Sequence, residues 1–190
     1  MVLQALEIKR QILHIIFGIA LALLVYFDII GYVVLLIAII ICLIISLLSK
    51  RYKIPLVHWF FKQCERPEQL KKFPGKGPLF YLIGAFVVVF LFEKDIALAA
   101  IMVLALGDSI SPIVGSLGRI PHLFTKKKKF EGVLAGGISG FIGALFFVSP
   151  IEAFLASFIA MIAEGIEWKI DDNAVVPFVA ACVIWILRVL

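Results

Sequence analysis

Residues 107–119 read GDSISPIVGSLGR, and residues 126–132 read KKKKFEG. In this stretch a carboxylate, a helix face of small residues and a dense run of lysines follow one another between two apolar segments. A carboxylate near the end of an apolar helix is costly unless it is paired, hydrated or bound to a metal ion. The stretch therefore predicts a kinked, closely packed helix that ends in an organised polar site.

The composition of the whole chain predicts an all-α, polytopic membrane protein. Hydrophobic residues make up 63% of the chain and charged residues 16%, and the mean hydropathy is +1.13. Because a membrane-crossing helix needs about 20 apolar residues, hydropathy predicts about seven transmembrane helices. They are residues 11–27, 29–49, 78–92, 96–118 (interrupted), 133–148, 151–166 and 174–190. The first run ends at Asp28 without a small-residue cleavage site, so we interpret it as a retained span.

Lysine and arginine are concentrated in alternate loops of this arrangement. With the N-terminus in the cytoplasm, the cytoplasmic loops are residues 1–10, 50–77, 119–132 and 167–173. They hold all of the 18 lysines and arginines except Lys94 and Arg188, which is the bias that the positive-inside rule describes. The polar motifs border the same face, whereas a transporter would place polar groups nearer the bilayer midplane. The pattern favours a reaction site between cytosol and bilayer.

Residues 55–72 are too polar to cross the bilayer. Leu56, Trp59 and Phe60 recur at helical spacing beside charged residues, which predicts a helix lying in the membrane interface. It is either an ordinary connector or a surface through which lipid reaches the site.

Asp108 is the leading candidate for a metal ligand. Pro112 lies four residues later and cannot donate the helical hydrogen bond to the Asp108 carbonyl, so this oxygen is expected to be free beside the carboxylate. Mg²⁺ favours one or two carboxylates together with water and phosphate oxygens. Ser111, Gly115 and Gly118 form a small face that a ligand or another helix could approach; the alternative is helix packing with Asp108 as a cap.

The lysine run has two interpretations. Lys126–Lys129 could anchor the chain to anionic lipid headgroups. Glu131 and Gly132 follow immediately, however, and an acid beside four lysines at the mouth of a span suggests an organised site, with Lys128 three residues before Glu131.

A third polar segment precedes the last predicted span. Glu164, Glu167 and Asp171 have the spacing of one helix face, and Asp172 and Asn173, the only asparagine of the chain, follow. The segment could be a solvated loop with Asn173 as a helix N-cap. As the acid-rich loop of a basic face, it is also a natural second half of a divalent-metal site.

In chain order, these elements resemble the CTP-dependent lipid-alcohol kinases. That family includes dolichol kinase, phytol kinase and the fungal-type diacylglycerol kinase, within the phosphatidate cytidylyltransferase superfamily. The resemblance covers nearly the whole chain and rests on Glu7, Lys9-Arg10, His14, Arg66, Gly107-Asp108, Gly115, Gly118-Arg119, Lys128-x-x-Glu131-Gly132, Asp171-Asp172-Asn173 and Pro177. Position 129 is lysine where the family pattern has serine or threonine. Lys127 is therefore a second candidate for the role of Lys128.

The resemblance implies transfer of the CTP γ-phosphoryl group to the hydroxyl of a membrane-embedded lipid alcohol, with dolichol or another polyprenol as the best candidate. It implies a catalytic domain that uses Mg²⁺ or another divalent cation. The implied metal ligands are Asp108, Asp172 and Asn173. The implied nucleotide- and phosphate-binding residues are Arg10, Arg119, Lys127, Lys128, Gly107, Gly115, Gly118 and Gly132. The proton of the hydroxyl would pass to Glu131 or Asp171.

Two other functions are considered. A CTP-dependent cytidylyltransferase would form a CDP-lipid and release pyrophosphate, whereas a kinase releases CDP. A membrane transporter or scaffold would predict polar residues deep in several spans, and few are present. The expected partners are CTP, the lipid alcohol and the membrane, without nucleic acid, and self-association into a homo-oligomer is left open.

Overall fold

The computed structural model describes residues 2–52, 55–65, 67–121, 125, 128–166, 168 and 170–190, and these residues form helices without a strand. The helices are α1 (Val2–Tyr26), α2 (Tyr32–Arg51), α3 (Pro55–Cys64), α4 (Pro67–Lys72), α5 (Lys76–Leu91), α6 (Lys94–Met102), a π-helical segment (Val103–Asp108), α7 (Ser109–Gly115), α8 (Phe130–Ala144), α9 (Pro150–Glu164) and α10 (Asp172–Val189). The predicted all-α class is confirmed.

Each of the seven predicted spans coincides with a helix, and four helices are long and apolar enough to cross a membrane. These are residues 6–26 of α1, α2, the continuous helix formed by α6, the π-helical segment and α7, and α10. Helices α5 and α8 are apolar but shorter. A membrane protein is therefore supported, while seven crossings and a cytoplasmic N-terminus stay predictions.

The continuous helix Lys94–Gly115 is the centre of the bundle. About two thirds (67%) of its most apolar window is buried, against 11% for α2. Ile96, Ile101 and Leu104 are fully buried in it, and α1, α8, α9 and α10 pack around it. Because α2 keeps most of its apolar surface exposed, it is the helix whose burial depends most on the bilayer.

The interruption expected at Pro112 has a different form. The chain remains helical through Pro112 as far as Gly115, and the irregularity lies before it, in the π-helical segment Val103–Asp108. A π-helical turn holds an extra residue and is often found at functional sites. Here it places Asp108 at the end of the segment, directly before α7.

Helices α7 and α8 approach each other through glycines. A Cβ added at Gly132 would lie 2.5 Å from the Ser111 carbonyl oxygen and 3.0 Å from the Gly115 Cα. A Cβ added at Gly136 would lie 2.8 Å from the Gly107 carbonyl oxygen. Gly107, Gly115 and Gly132, which the resemblance implicates in nucleotide binding, thus lie in a helix–helix contact.

Two short helices, α3 and α4, lie in the segment that was predicted to be interfacial. The Phe61 ring of α3 is buried, whereas Leu56 and Trp59 are 76% and 60% exposed, as expected for an interfacial helix. Glu65 then accepts hydrogen bonds from the backbone N–H groups of Gly75 (2.9 Å) and Gly77 (2.8 Å). Burial raises the pKa of the Glu65 carboxyl in spite of these bonds. Glu65 thereby fixes the turn that starts α5.

The charged side chains gather at the two ends of the bundle. At one end, Lys76 pairs with Asp171 at 3.0 Å, and Lys128 pairs with Glu164 at 2.7 Å. Lys9 on α1 donates to Gln63 on α3 at the same end. These contacts join parts of the four loops that the charge pattern assigns to one face.

Candidate active site

Three carboxylates from distant parts of the chain meet at this end. Asp108 ends the π-helical segment, Glu164 is the last residue of α9, and Asp172 is the first residue of α10. One carboxylate oxygen of each lies within 4.8 Å of the others. Glu164 is only 4% exposed. The three side chains therefore form a compact, partly buried acidic cluster.

Lys128 is the cation of this cluster. Its Nζ donates to Glu164 Oε1 at 2.7 Å, to the Glu164 carbonyl oxygen at 2.7 Å and to Asp172 Oδ2 at 3.0 Å. Burial would lower the pKa of Lys128, but the adjacent Glu164 and Asp172 carboxylates raise it above its ordinary value. Lys128 thus carries its charge at neutral pH.

The charges and donor atoms of the cluster fit a divalent cation. Three carboxylates face one ammonium group, which leaves an excess of negative charge that a divalent cation would balance. Asn173 Oδ1 is buried nearby without a hydrogen-bond partner in the described residues. Carboxylate and amide oxygens are ligands that Mg²⁺ accepts, usually with water and substrate phosphate.

The N-terminal helix contributes two side chains to the same site. His14 Nε2 lies 3.8 Å from Asp108 Oδ2, and the His14 ring contacts the edge of Tyr81 with 4.6 Å between ring centroids. Arg10 is paired with Glu7, one helical turn before it. A cation and an imidazole from α1 therefore lie beside the acidic cluster.

All of these groups open into one cavity of about 1280 Å³. Its polar end contains the acidic cluster, Lys128, His14 and Arg10, and its other end is lined by apolar side chains of α1, α2 and α3. A single cavity thus joins a charged site to an apolar space.

The cavity brings together six of the predicted site residues. They are Arg10, Asp108, Lys128, Asp171, Asp172 and Asn173. Asp171 caps α10 by accepting from the Asn173 backbone N–H at 3.3 Å, and it also accepts from Asn173 Nδ2 at 2.9 Å. The N-cap is thus Asp171 and not Asn173. The proposed helix face of Glu164 and Asp171 was wrong, because α9 ends at Glu164 and Asp171 starts the next helix.

Other predicted residues lie outside the cavity. Glu131 accepts from the backbone N–H groups of Arg119 (2.8 Å) and Ile120 (3.1 Å), and a Cβ on Gly118 would lie 2.7 Å from Glu131 Oε2. Glu131 therefore holds the turn after α7. The Arg119 side chain is exposed and does not line the cavity. Lys127 lies outside the described residues, as do Arg66 and Glu167.

Sequence reasoning did not assign three side chains of the site. Glu164 was grouped with the acidic loop but was not named as a metal ligand. His14 was one of the residues on which the resemblance rests but was given no role in the site, and Lys76 was one positive charge among many. Glu164 and Lys76 lie at helix ends, as the last residue of α9 and the first of α5, whereas His14 lies in the middle of α1. Only the packing of distant helices shows that they face Asp108 or Asp171.

The fold and the site define a helical membrane protein in which a carboxylate–lysine cluster opens into a cavity with apolar walls. An uncharacterized protein of Methanocaldococcus jannaschii is 32% identical over 189 residues, covering 94% of this chain and 92% of that protein. The CTP-dependent diacylglycerol kinase 1 of Schizosaccharomyces pombe is 27% identical over 130 residues, or 58% of this chain and 60% of the kinase. A probable chloroplastic phytol kinase of Triticum aestivum is 28% identical over 132 residues, or 59% of this chain and 44% of that protein.

The chain is thus similar to CTP-dependent lipid kinases, which is consistent with the family that the resemblance predicted. It spans less than two thirds of the length of these characterised relatives. No protein-family model matches the chain, and no solved structure matches it.

Proposed function

We propose that the protein is a CTP-dependent kinase that phosphorylates the hydroxyl of a membrane-embedded lipid alcohol, with a dolichol or polyprenol as the best candidate. The observation that carries this proposal is the single cavity in which a carboxylate–lysine cluster meets apolar walls. A nucleotide phosphate requires the first environment and a lipid chain the second. The relatives that are named as CTP-dependent diacylglycerol kinase and phytol kinase support the same chemistry.

In this proposal the carboxylates of Asp108, Asp172 and Glu164 would hold a divalent cation, with Asn173 beside them. The cation would neutralise phosphate charge and fix the orientation of the triphosphate. Lys128 and Arg10 line the same end of the cavity and would bind phosphate oxygens. Phosphoryl transfer depends chiefly on positioning and charge neutralisation, which are what this set of side chains can supply.

The proposed step is an in-line displacement. The hydroxyl oxygen of the lipid forms a bond to the γ-phosphorus, the bond from that phosphorus to the β–γ bridging oxygen breaks, and CDP leaves. Of the two candidates for accepting the hydroxyl proton, Asp171 lines the cavity and Glu131 does not. We therefore propose that Asp171 accepts the proton. Its Oδ2 atom lies 3.0 Å from Lys76 Nζ.

The test uses purified protein in lipid–detergent micelles with Mg²⁺ and CTP labelled at the γ-phosphate. The acceptors are polyprenols, phytol, geranylgeraniol and diacylglycerol, each added separately. We expect label in the lipid and release of unlabelled CDP, and no transfer by Asp108→Asn. Release of pyrophosphate with a CDP-lipid product would instead establish a cytidylyltransferase. Absence of any CTP-dependent product with every acceptor would refute both enzymes.

We further propose that the site faces the cytoplasm in a multi-pass protein. The positive-inside distribution of lysine and arginine supports this orientation. CTP is available on that side, and the polar end of the bundle holds most of the basic residues.

A further inference from the structure

We infer that the apolar part of the cavity is a slot between α1 and α2 that receives the lipid tail sideways from the bilayer and selects it by length. This inference rests on the proposed kinase function and assigns the tail-binding part of the site. The predicted occupant is a single linear isoprenoid tail. The hydroxyl of the same alcohol would lie at the acidic cluster.

The slot exists because α1 and α2 do not close against each other. They follow one another in the chain, yet in the described residues they make few mutual contacts, and α2 packs on α5 instead. The walls of the resulting gap are Phe17 and Leu21 on α1 and Ala38 and Ile41 on α2. Because apolar side chains line the gap, an apolar chain is the occupant that it fits.

The mouth of the slot opens on the lipid-facing surface. Phe17 and Ile41 both line the cavity and are nevertheless 47% and 51% exposed. Leu56 and Trp59 of the interfacial helix α3 also line it and are largely exposed. A chain in the bilayer could therefore enter between α1 and α2 below α3 without leaving an apolar environment.

The depth of the slot sets a length limit. On α1 its lining runs from His14 at the polar end to Leu24, which at 1.5 Å per residue is about 15 Å along the helix. That is roughly half of a hydrocarbon core about 30 Å thick. The whole cavity of about 1280 Å³ exceeds the roughly 300–1,000 Å³ of sites for small ligands. It has room for a nucleotide and a lipid segment together.

Neighbouring isoleucines of α2 provide a matched test. Ile41 lines the slot and Ile40 does not, although both are about half exposed (51% and 49%). Ala38 lines the slot nearer its deep end. The variants Ala38→Trp, Ile41→Trp and Ile40→Trp are assayed for phosphorylation of geraniol, farnesol, geranylgeraniol and a long polyprenol. Circular dichroism and elution volume in detergent establish that each variant is folded.

We expect Ala38→Trp to lower the kcat/KM for geranylgeraniol and the polyprenol by at least about tenfold relative to geraniol. Ile41→Trp should lower it for all four alcohols, since it lies nearer the polar end, and Ile40→Trp should behave as wild type. An unchanged length preference in folded Ala38→Trp would overturn the slot. Equal losses in Ile40→Trp and Ile41→Trp would do the same.

A second measurement does not depend on turnover. A farnesol analogue with a diazirine near the end of its chain is photolysed with the wild-type protein, and the labelled residues are mapped by mass spectrometry. Labelling of α1 and α2 at Leu21, Leu24 or Ala38 supports the slot. Labelling confined to other helices overturns the slot. It is also overturned if the slot is not labelled and the separate variant Ile41→Cys instead cross-links two copies of the protein. If wild type phosphorylates no alcohol but the label maps to the slot, the proposed kinase fails and tail binding stands.

Discussion

Each end of the helix bundle holds a cation that is paired with carboxylates, and the two clusters differ in burial. At the end opposite the candidate site, Arg188 pairs with Glu152 at 2.6 Å, Asp95 at 2.7 Å and Glu93 at 3.3 Å. Glu93 is 78% exposed there. At the candidate site Glu164 is 4% exposed, and the cluster opens into the cavity.

The difference shows how an ion-pair cluster becomes a candidate active site. Arg188 reaches three carboxylates through a branched guanidinium that is suited to several partners. Lys128 bonds Glu164 and Asp172, while Asp108 faces the cavity and has His14 beside it at 3.8 Å. At the Arg188 end all three carboxylates pair with the guanidinium, and the cavity that Asp95 lines is smaller, at about 600 Å³. At the Lys128 end Asp108 faces the cavity of about 1280 Å³, so we assign the Arg188 end to structure.

The largest expected difference between the two ends is their side of the membrane. Leu117 and Phe146 are each 78% exposed, one in the turn after α7 and the other between α8 and α9. In a cysteine-free background, Leu117→Cys should react with an impermeant maleimide only from the cytoplasm and Phe146→Cys only from outside. Reaction of both from one side would contradict the proposed topology.

Neutral variants of the acidic cluster should have the next largest effect. Asp108→Asn and Asp172→Asn each remove a proposed metal ligand. Because such a ligand contributes several kcal/mol of transition-state stabilisation, we expect kcat to fall by about a thousandfold. Removal of divalent cations by EDTA should abolish turnover, and added Mg²⁺ should restore it.

The matched control at the other end is Glu152→Gln, which should keep kcat within about twofold of wild type. Near-normal kcat of Asp108→Asn or Asp172→Asn at saturating Mg²⁺ would assign that residue to packing.

Lys128→Gln should have an intermediate effect, because it removes a partly buried charge that contacts two carboxylates. We expect the KM for CTP to rise by at least about tenfold or turnover to be lost. Lys129→Gln is the neighbouring control. A lysine that only attracts anionic lipid contributes about 1 kcal/mol, so equal and small effects of both variants would show that the run is a membrane anchor.

Arg188→Gln should have the smallest effect on catalysis. The pairs that it breaks are partly exposed to solvent, so the loss in unfolding free energy should be about 1 kcal/mol. Thermal unfolding in detergent measures this loss, and it should shrink at high salt because exposed charges are screened. Loss of kinase activity in a folded Arg188→Gln protein would contradict a purely structural role.

The helical segments and their polar ends could be predicted from the sequence because apolar runs and helix termini are local properties. Asp108, Lys128, Asp172 and Asn173 were predicted as site residues, and the structure brings all four to one cavity. Glu131 belongs with them by spacing, but its carboxylate bonds the backbone of Arg119 and Ile120. The direction in which a side chain points from a loop depends on contacts that spacing does not encode.

Hydropathy and charge in the sequence alone determined the membrane class, the approximate position of each helix and the gathering of basic residues in alternate loops. Only the tertiary structure decided that Glu164 joins Asp108 and Asp172, that a π-helical segment precedes Pro112, and that α1 and α2 stand apart around a cavity. The physical reason is the separation along the chain of the residues that interact. Burial preference and helix propensity act within a segment, whereas the meeting of three carboxylates depends on the packing of helices far apart in the chain.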